Sequence, residues 1–218
     1  MMDVNLVECM GSDLTVVNAA RVSFSKHSDI FSSGDERLIK FLAENNHWTP
    51  FGHCTLQFRI KAPIFVARQL VKHQVGLTWN EVSRRYVQSK PELYCPKVWR
   101  TNPEDKKQGS SETETVEWLL VNEEKISSTV RRLYNRAINL YNDMIAADVC
   151  AEQARMVLPQ SMMTEWYWTG SLYAFARVCN LRCAKDTQKE TRLIAEQISE
   201  LTKEKFPVSW KYLVGEFK

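Results

Sequence analysis

Residues 51–86 read FGHCTLQFRIKAPIFVARQLVKHQVGLTWNEVSRRY. From Leu56 to Ile60, apolar residues alternate strictly with polar ones, which is typical of a β-strand with one buried face. Pro63 suits the first turn of the next helix. Backbone amides in that turn have no hydrogen-bond partner within the helix, so proline, which has no amide hydrogen, loses no bond there. The stretch therefore predicts a strand over residues 51–60 followed directly by a helix.

Apolar periodicity outside this stretch predicts one more strand and several helices. The order strand, helix, helix, strand, helix and then mostly helices predicts an α+β fold with an antiparallel sheet, built as a single domain over residues 1–218. Residues 100–111 are the most polar part of the chain, and we expect a mobile loop there. The other expected elements are a strand over 2–9 and helices over 13–22, 35–45, 112–147 (with a break near Asn122), 151–157, 164–183 and 187–205, and from 208 onward.

Composition and charge exclude several classes of protein. An apolar fraction of 44% and a charged fraction of 25% are those of an ordinary globular protein. The net charge of +3 does not by itself imply binding to nucleic acid or a membrane, and we expect neither partner. No apolar run approaches the ~20 residues of a membrane span, and the N-terminal residues do not have the pattern of a signal peptide.

The cysteines indicate the redox environment. All six are scattered and none forms a CxxC pair, which favours a reduced, cytoplasmic chain. Cysteine and histidine pairs with the usual zinc spacing are missing, so we expect no metal site.

The end of the opening stretch is the part most typical of a binding site. Residues 80–86 combine cations, a carboxylate, an amide and a hydroxyl, which suits an anionic ligand such as a nucleotide. Trp79 adds a large aromatic, so we expect a polar binding loop; the alternative is a solvated helix end and a polar turn. The chain has no Gly-rich dinucleotide fingerprint, phosphate-binding loop, HExxH or Gly-x-Ser-x-Gly motif, which excludes a standard Rossmann or P-loop cradle.

The motif formed by His73 and Asn80-Glu81-x-Ser83-x-Arg85-Tyr86 resembles the signature of the flavin-dependent thymidylate synthases. The resemblance covers nearly the whole chain in the right order. It includes five further blocks: Ala20-Arg21-Val22-Ser23-Phe24, His47-x-Thr49-Pro50-Phe51, residues 61–69, Ala154-Arg155-x-Val157-Leu158-Pro159, and Asn180-Leu181-Arg182 followed by Gln188-x-Glu190.

The chain departs from the family pattern at three places. The family's Arg-His-Arg is Lys72-His73-Gln74 here, and one extra residue lies somewhere in 75–79, before Ser83. Ser171 and Arg177 stand where the family often has asparagines that face the flavin. These differences affect the expected flavin contacts more than the nucleotide contacts.

The resemblance implies that dUMP is methylated to dTMP. Methylenetetrahydrofolate supplies the carbon, NADPH supplies the reducing equivalents, and FAD carries the hydride. It also implies a homotetramer whose active sites are shared between subunits, with no cysteine nucleophile.

The resemblance also implies roles for individual residues, with Arg182 as the catalytic one. A guanidinium is always charged and can donate two parallel hydrogen bonds to the uracil edge where negative charge develops. Expected dUMP-binding residues are Gln69, Glu81, Ser83, Arg84, Arg85, Arg155 and Arg182. Expected FAD-binding residues are Ser23, His47, Thr49, Lys72, His73, Gln74, Glu81, Ser171 and Arg177.

Other interpretations stay open from the residues alone. Arg182 could cap a helix end, Arg155 could form a surface ion pair, and Gln69 could be a solvated helix residue. For the whole chain, the alternatives are a family member that binds FAD but has impaired turnover, and a non-enzymatic module that binds a nucleotide or RNA through Arg84 and Arg85.

Overall fold

The computed structural model describes residues 1–87, 89–103, 109–121 and 123–215. Its strands are β1 (Asp3–Met10), β2 (Thr55–Pro63), β3 (Leu77–Glu81) and β4 (Met163–Ser171). Its α-helices are α1 (Asp13–Arg21), α2 (Ser33–Glu44), α3 (Thr49–Gly52), α4 (Ile64–Leu70), α5 (Ile126–Ala146), α6 (Ala151–Ala154), α7 (Leu172–Arg182), α8 (Lys189–Lys205) and α9 (Pro207–Leu213). Short 3-10 turns follow α1 at Val22–Phe24 and α6 at Arg155–Val157.

The four strands form one antiparallel sheet in the order β1-β2-β4-β3, which confirms the predicted α+β class. Leu56, Phe58 and Ile60 of β2 are fully buried, as their alternation predicts. The ring of Phe58 packs edge-on against Phe175 of α7, with centroids 4.9 Å apart. The helices α7 and α8 thus cover one face of the central strands, and both also contact α9.

The prediction of a buried helix over 164–183 is confirmed from Leu172 onward, where α7 lies, but it is wrong for residues 164–171. The structure has the strand β4 there, which runs directly into α7 at Ser171, whose Oγ accepts a hydrogen bond from the Ala174 amide at 3.2 Å. Trp166 and Trp168 are buried while Tyr167 between them is exposed, which is the period of a strand. The density of apolar and aromatic residues hid this alternation from the sequence interpretation.

Two other predictions need correction. The expected loop after α4 contains β3, whose residues pair with β4 from Leu77↔Gly170 to Glu81↔Trp166. The helix expected over 112–147 begins only at Ile126, because the chain before it forms isolated bridges, including Trp118↔Lys125. The predicted break near Asn122 lies outside the described residues.

The polar segment 100–111 is anchored to α8 at its first residue. Arg100 donates from Nη2 to both carboxylate oxygens of Glu190, at 2.8 and 3.0 Å, and the Glu190 side chain is buried. Residues 104–108 lie outside the described part of the chain, so the prediction of a mobile loop stays a prediction.

None of the described helices combines the length and apolar character needed to cross a membrane.

Gly170 of β4 lies against the start of β3, and we expect Gly170→Ala to lower the free energy of unfolding by about 2 kcal/mol or more. A Cβ at this position would lie 2.6 Å from the Gly76 carbonyl oxygen, which is backbone and cannot rotate away. Urea unfolding would measure the change. Gly34→Ala in α2 is the control, because its Cβ would meet nothing closer than Ser32 Oγ at 3.6 Å. Equal stability of the two variants would contradict the pairing of β3 with β4.

Candidate active site

The helix α7 carries three of the predicted site residues, and a turn after α4 brings a fourth to it. Ser171 caps the N-terminus of α7, Arg177 is exposed in its middle, and Arg182 is its last residue. Arg182 Nε donates a hydrogen bond to His73 Nε2 at 3.0 Å. The structure therefore joins the predicted catalytic arginine to a residue predicted to bind FAD.

The turn that presents His73 to α7 depends on Gly76. Its φ is +75°, which residues with a Cβ rarely adopt, and a Cβ would lie 3.2 Å from Ala174 Cβ and 3.5 Å from Ser171 Oγ. The turn is closed by a hydrogen bond from the Leu77 amide to the Gln74 carbonyl at 3.1 Å. Glycine thus lets this turn lie directly on the first turn of α7.

Burial and two nearby cations favour the neutral form of the His73 imidazole. Burial lowers the pKa of His73 below its usual value, and the positive charges of Arg182 and Arg177 lower that pKa further. Neutral imidazole has one nitrogen free to accept, and here Nε2 accepts from Arg182. The ring must therefore carry its proton on Nδ1.

A cavity of about 590 Å³ lies elsewhere, beside the end of β3 and the start of α4. Three residues predicted to contact dUMP line it: Glu81, Arg84 and Arg155. The Glu81 carboxylate is held from two sides, since Oε1 accepts from Thr164 Oγ1 at 2.7 Å and Oε2 accepts from Trp79 Nε1 at 3.2 Å. Trp79 is itself stacked on Trp166, with ring centroids 4.4 Å apart.

The cations of this cavity are not balanced by its carboxylates. Lys61 is paired with Glu92, and Glu165 is paired with Arg59. Within the described residues, no carboxylate pairs with the remaining cations, Arg84, Lys90 and Arg155, and Arg84 is bonded only to the Ser89 carbonyl. The cavity therefore offers three cations to an anionic ligand.

The other two residues predicted from the same motif contact protein groups instead. Arg85 forms an ion pair with Glu152 at 3.6 Å, and its guanidinium lies 5.1 Å from the centre of the Tyr86 ring. Ser83 Oγ accepts a hydrogen bond from the Arg85 amide at 3.3 Å. These contacts tie the end of β3 to α6, which leads directly to Arg155.

Gln69 and Lys72 lie at the opposite end of α4, in a second cavity of about 380 Å³. The Gln69 amide is bonded on both sides to residues around the start of α8: it donates to Gln188 Oε1 and accepts from Thr191 Oγ1 at 3.1 Å. Lys72 is exposed, and no carboxylate among the described residues pairs with it. The Gln69 side chain is thus fixed by hydrogen bonds within the protein, whereas the Lys72 ammonium is available to a ligand.

The four predicted FAD-binding residues not yet placed, which lie outside both cavities, are also exposed. Next to two of them, Trp48 packs on Tyr173 of α7 with ring centroids 6.1 Å apart, so His47 and Thr49 flank a contact with α7. The His47 ring meets Phe41 edge-on at 5.6 Å. The other two are Ser23, in the 3-10 turn after α1, and Gln74, in the turn before β3.

One chain does not bring all the predicted dUMP contacts together. Ile64, the first residue of α4, lines the larger cavity, whereas His73 and its partner Arg182 lie just beyond the other end of that helix. Seven helical residues span roughly 10 Å. Arg155 and Arg182 therefore belong to two separate groups of side chains.

Comparisons with known proteins identify the family. A sequence model described as "Thymidylate synthase complementing protein" matches residues 5–208. A flavin-dependent thymidylate synthase of Thermus thermophilus is 37% identical over 207 residues, which are 95% of this chain and 73% of that protein. This chain belongs to the flavin-dependent thymidylate synthase family.

Other members and solved structures agree with this assignment. The flavin-dependent thymidylate synthase of Thermosipho africanus is 37% identical over 93% of this chain and 86% of its own length. A UMP/dUMP methylase from Streptomyces cacaoi, PolB, has a crystal structure with bound 5-Br dUMP. That structure is similar to this one with a TM-score of 0.84 at 27% identity, over 97% of this chain and 94% of the other.

Four residues that lie in or beside these cavities were given no site role from the sequence. Thr164 and Lys90 line the larger cavity, Gln188 lines the smaller one, and Trp166 stacks on Trp79. Interpreting residues 163–171 as a strand would have placed Thr164 and Trp166 on one face, two residues apart. Gln188 was visible in the block that resembles the family, but its bond to Gln69 was not.

Thr164 positions Glu81, and we expect Thr164→Val to weaken nucleotide binding roughly tenfold, since a hydrogen bond to a charged group contributes about 1.5 kcal/mol. Valine has nearly the shape of threonine but cannot donate. Isothermal titration with dUMP would measure the affinity. Thr169→Val is the matched control on the same strand, because Thr169 bonds Gln57 and not the cavity. Wild-type affinity in Thr164→Val would show that Glu81 needs no such support.

Proposed function

We propose that this protein catalyses the reductive methylation of dUMP to dTMP, with methylenetetrahydrofolate as carbon donor, NADPH as reductant and FAD as hydride carrier. The proposal rests on the cavity beside Glu81, in a chain of this family: no carboxylate among the described residues pairs there with Arg84, Lys90 or Arg155. Family membership also favours an enzyme over a non-enzymatic nucleotide-binding or RNA-binding module.

The nucleotide phosphate is assigned to the unpaired cations. Arg155 donates to it from the 3-10 turn after α6, and Arg84 approaches from the turn after β3. Charge-assisted hydrogen bonds from a guanidinium to phosphate are short and are about twice as strong as neutral ones. Glu81 accepts from the sugar or the base, since its two carboxylate oxygens are already aimed by Thr164 and Trp79.

The uracil is assigned to Arg182. Attack from carbon 5 requires negative charge to develop on the N3–C4 side of the ring, and two parallel N–H donors stabilise that charge. Arg182 donates from Nε to His73, and no described residue bonds to its two terminal nitrogens, which can therefore donate to the uracil.

Sites shared between subunits of a homotetramer explain the separation of the two groups. In one chain, Arg182 and Arg155 lie at opposite ends of α4. We infer that the phosphate-binding group of one subunit faces the Arg182 group of another. Intersubunit sites would also explain how a chain without a dinucleotide cradle holds FAD.

The residues around α7 fit FAD. Lys72 and Arg177 are exposed cations without carboxylate partners among the described residues, which suits a pyrophosphate. Trp48 is 55% exposed and offers an aromatic face to a planar ring. When bound, FAD supplies the two-electron chemistry that passes a hydride from NADPH to the nucleotide. Lys72 presents a point charge in place of the family's arginine, so it cannot bind an oxyanion in bidentate fashion.

Two of the buried thiols, those of Cys54 and Cys179, are unsuited to act as nucleophiles. Burial raises the pKa of Cys54 to about 12 and raises that of Cys179 well above its usual value. Both are therefore protonated at neutral pH, and the thiolate is the reactive form. This agrees with a mechanism in which the carbon is transferred without a covalent bond to cysteine.

UMP is the second candidate substrate, because the similar Streptomyces cacaoi methylase has also been crystallised with 5-Br UMP, in a structure with a TM-score of 0.82 to this one.

A spectroscopic titration of the FAD-loaded protein tests the proposed function and compares the two substrates. We expect NADPH to bleach the flavin, and dUMP with methylenetetrahydrofolate to restore its colour faster than UMP does. If NADPH bleaches the bound flavin but no dTMP forms, the protein is a family member with impaired turnover. A colourless protein whose binding to RNA weakens steeply with salt would support the non-enzymatic module.

A further inference from the structure

The contact between His73 and Arg182 has features of a positioning device. The imidazole lies just after α4, and its backbone amide donates to the Leu70 carbonyl at 3.0 Å, which fixes the ring's attachment point. Its Nε2 accepts the Nε hydrogen of Arg182 at 3.0 Å. Within the described residues, Arg182 has no other hydrogen bond and no ion pair.

A neutral acceptor suits this task better than a carboxylate. A free arginine side chain has many rotamers, so a guanidinium without an anchor samples many directions. A carboxylate at Nε would fix the direction but would also neutralise the charge that a developing anion needs. Neutral imidazole fixes Nε and leaves the positive charge and both terminal nitrogens available.

We propose that His73 is a positioning residue, which holds the Arg182 guanidinium in the orientation that receives the uracil. This inference rests on the proposed function. It assigns His73 a role through Arg182 in addition to the expected role in binding FAD.

The proposal carries a pH dependence with a defined sign. The charges that act on His73 are Arg182 and Arg177, both from α7, and its neighbours in the chain are Lys72 and Gln74. As the pH falls through the lowered pKa of His73, Nε2 is protonated, the acceptor is lost, and two cations repel each other. Turnover should therefore have an acid limb that lies below the pKa of free histidine, about 6.5.

The first test compares His73→Leu with His73→Gln, because only glutamine keeps an acceptor near the position of Nε2. We expect His73→Leu to lower kcat about tenfold, the effect of one lost hydrogen bond, and His73→Gln to keep most of the turnover but to lose the acid limb. In the Arg182→Ala background, His73→Leu should have no further effect, because the group it positions is gone. Equal loss in the leucine and glutamine variants, or loss of FAD in both, would overturn the proposal.

The second test does not depend on turnover. The chain has four histidines, so NMR titration of 13C-labelled histidine can follow each ring, and the signal missing from His73→Gln identifies His73. We expect the pKa of His73 to rise towards its ordinary value in Arg182→Gln, which removes the positive charge but keeps a polar side chain. An unchanged His73 pKa, with dTMP formation intact in the wild type, would refute the contact and leave the proposed function standing. A raised pKa in a protein that forms no dTMP would keep the contact and refute the function.

Discussion

Arg182→Ala is expected to lower the rate of dTMP formation by roughly 10²–10³-fold, the cost of removing one donor to an anion that develops in the transition state. FAD content should stay near the wild-type level, because the cations assigned to the flavin phosphates are Lys72 and Arg177. Flavin bleaching by NADPH without dUMP should also survive, because no uracil takes part in that half-reaction. The measurement pairs stopped-flow bleaching with steady-state dTMP formation on one preparation.

Arg182→Lys is the matched variant. It keeps the positive charge but cannot present two parallel donors, so it should recover little activity. It also lacks the Nε hydrogen that Arg182 donates to His73 at 3.0 Å. Wild-type dTMP formation in Arg182→Ala would reduce Arg182 to a cation at a helix end, and complete loss of FAD would make its role structural or cofactor-binding.

Arg155→Ala is expected to weaken dUMP binding roughly 10–100-fold, because a hydrogen bond to a charged group contributes about 1.5–3 kcal/mol. Arg155 is exposed and has no partner among the described residues, so its removal should not destabilise the fold. Isothermal titration at two salt concentrations measures the affinity and its electrostatic part. Arg131→Ala, an exposed arginine of α5 outside the cavity, is the control. Equal affinity in both variants would place the phosphate elsewhere.

Mixing the two inactive variants tests whether sites are shared. If Arg155 of one subunit acts with Arg182 of another, mixed tetramers of Arg155→Ala and Arg182→Ala contain some sites with both arginines. Activity should then reappear after subunit exchange. If both residues of a site come from one chain, every site in the mixture keeps one defect and activity stays absent.

Local patterns in the sequence were enough for part of the fold. Strict alternation over residues 56–60 located β2, and apolar spacing located α8, which begins at Lys189 instead of the predicted 187. Residues 164–171 were mistaken for helix because Trp166, Tyr167 and Trp168 follow one another directly, so the alternation of buried and exposed positions does not show as an alternation of apolar and polar residues. The strand β3 was mistaken for a loop because it is short and most of it is polar, so its pairing with β4 decides its conformation.

The candidate site was predictable as a set of residues but not as a geometry. Glu81 and Arg155 stand in motifs and do line one cavity. The bond from Thr164 to Glu81 joins residues 83 positions apart, and no local pattern indicates it. The sequence also could not predict that Arg155 and Arg182 lie near opposite ends of α4. A motif gives the order of residues along the chain but not the end of a neighbouring helix at which each side chain lies.

The mass of the nucleotide product shows most directly whether this protein methylates dUMP. The FAD-loaded protein would be incubated with dUMP, NADPH and methylenetetrahydrofolate labelled with 13C at the methylene carbon, and the nucleotides analysed by mass spectrometry. We expect dTMP whose methyl carbon is labelled, formed only when NADPH and the folate are both present, and not formed by Arg182→Ala at a comparable rate. Unchanged dUMP in the presence of bound, NADPH-bleached flavin would contradict the proposed reaction.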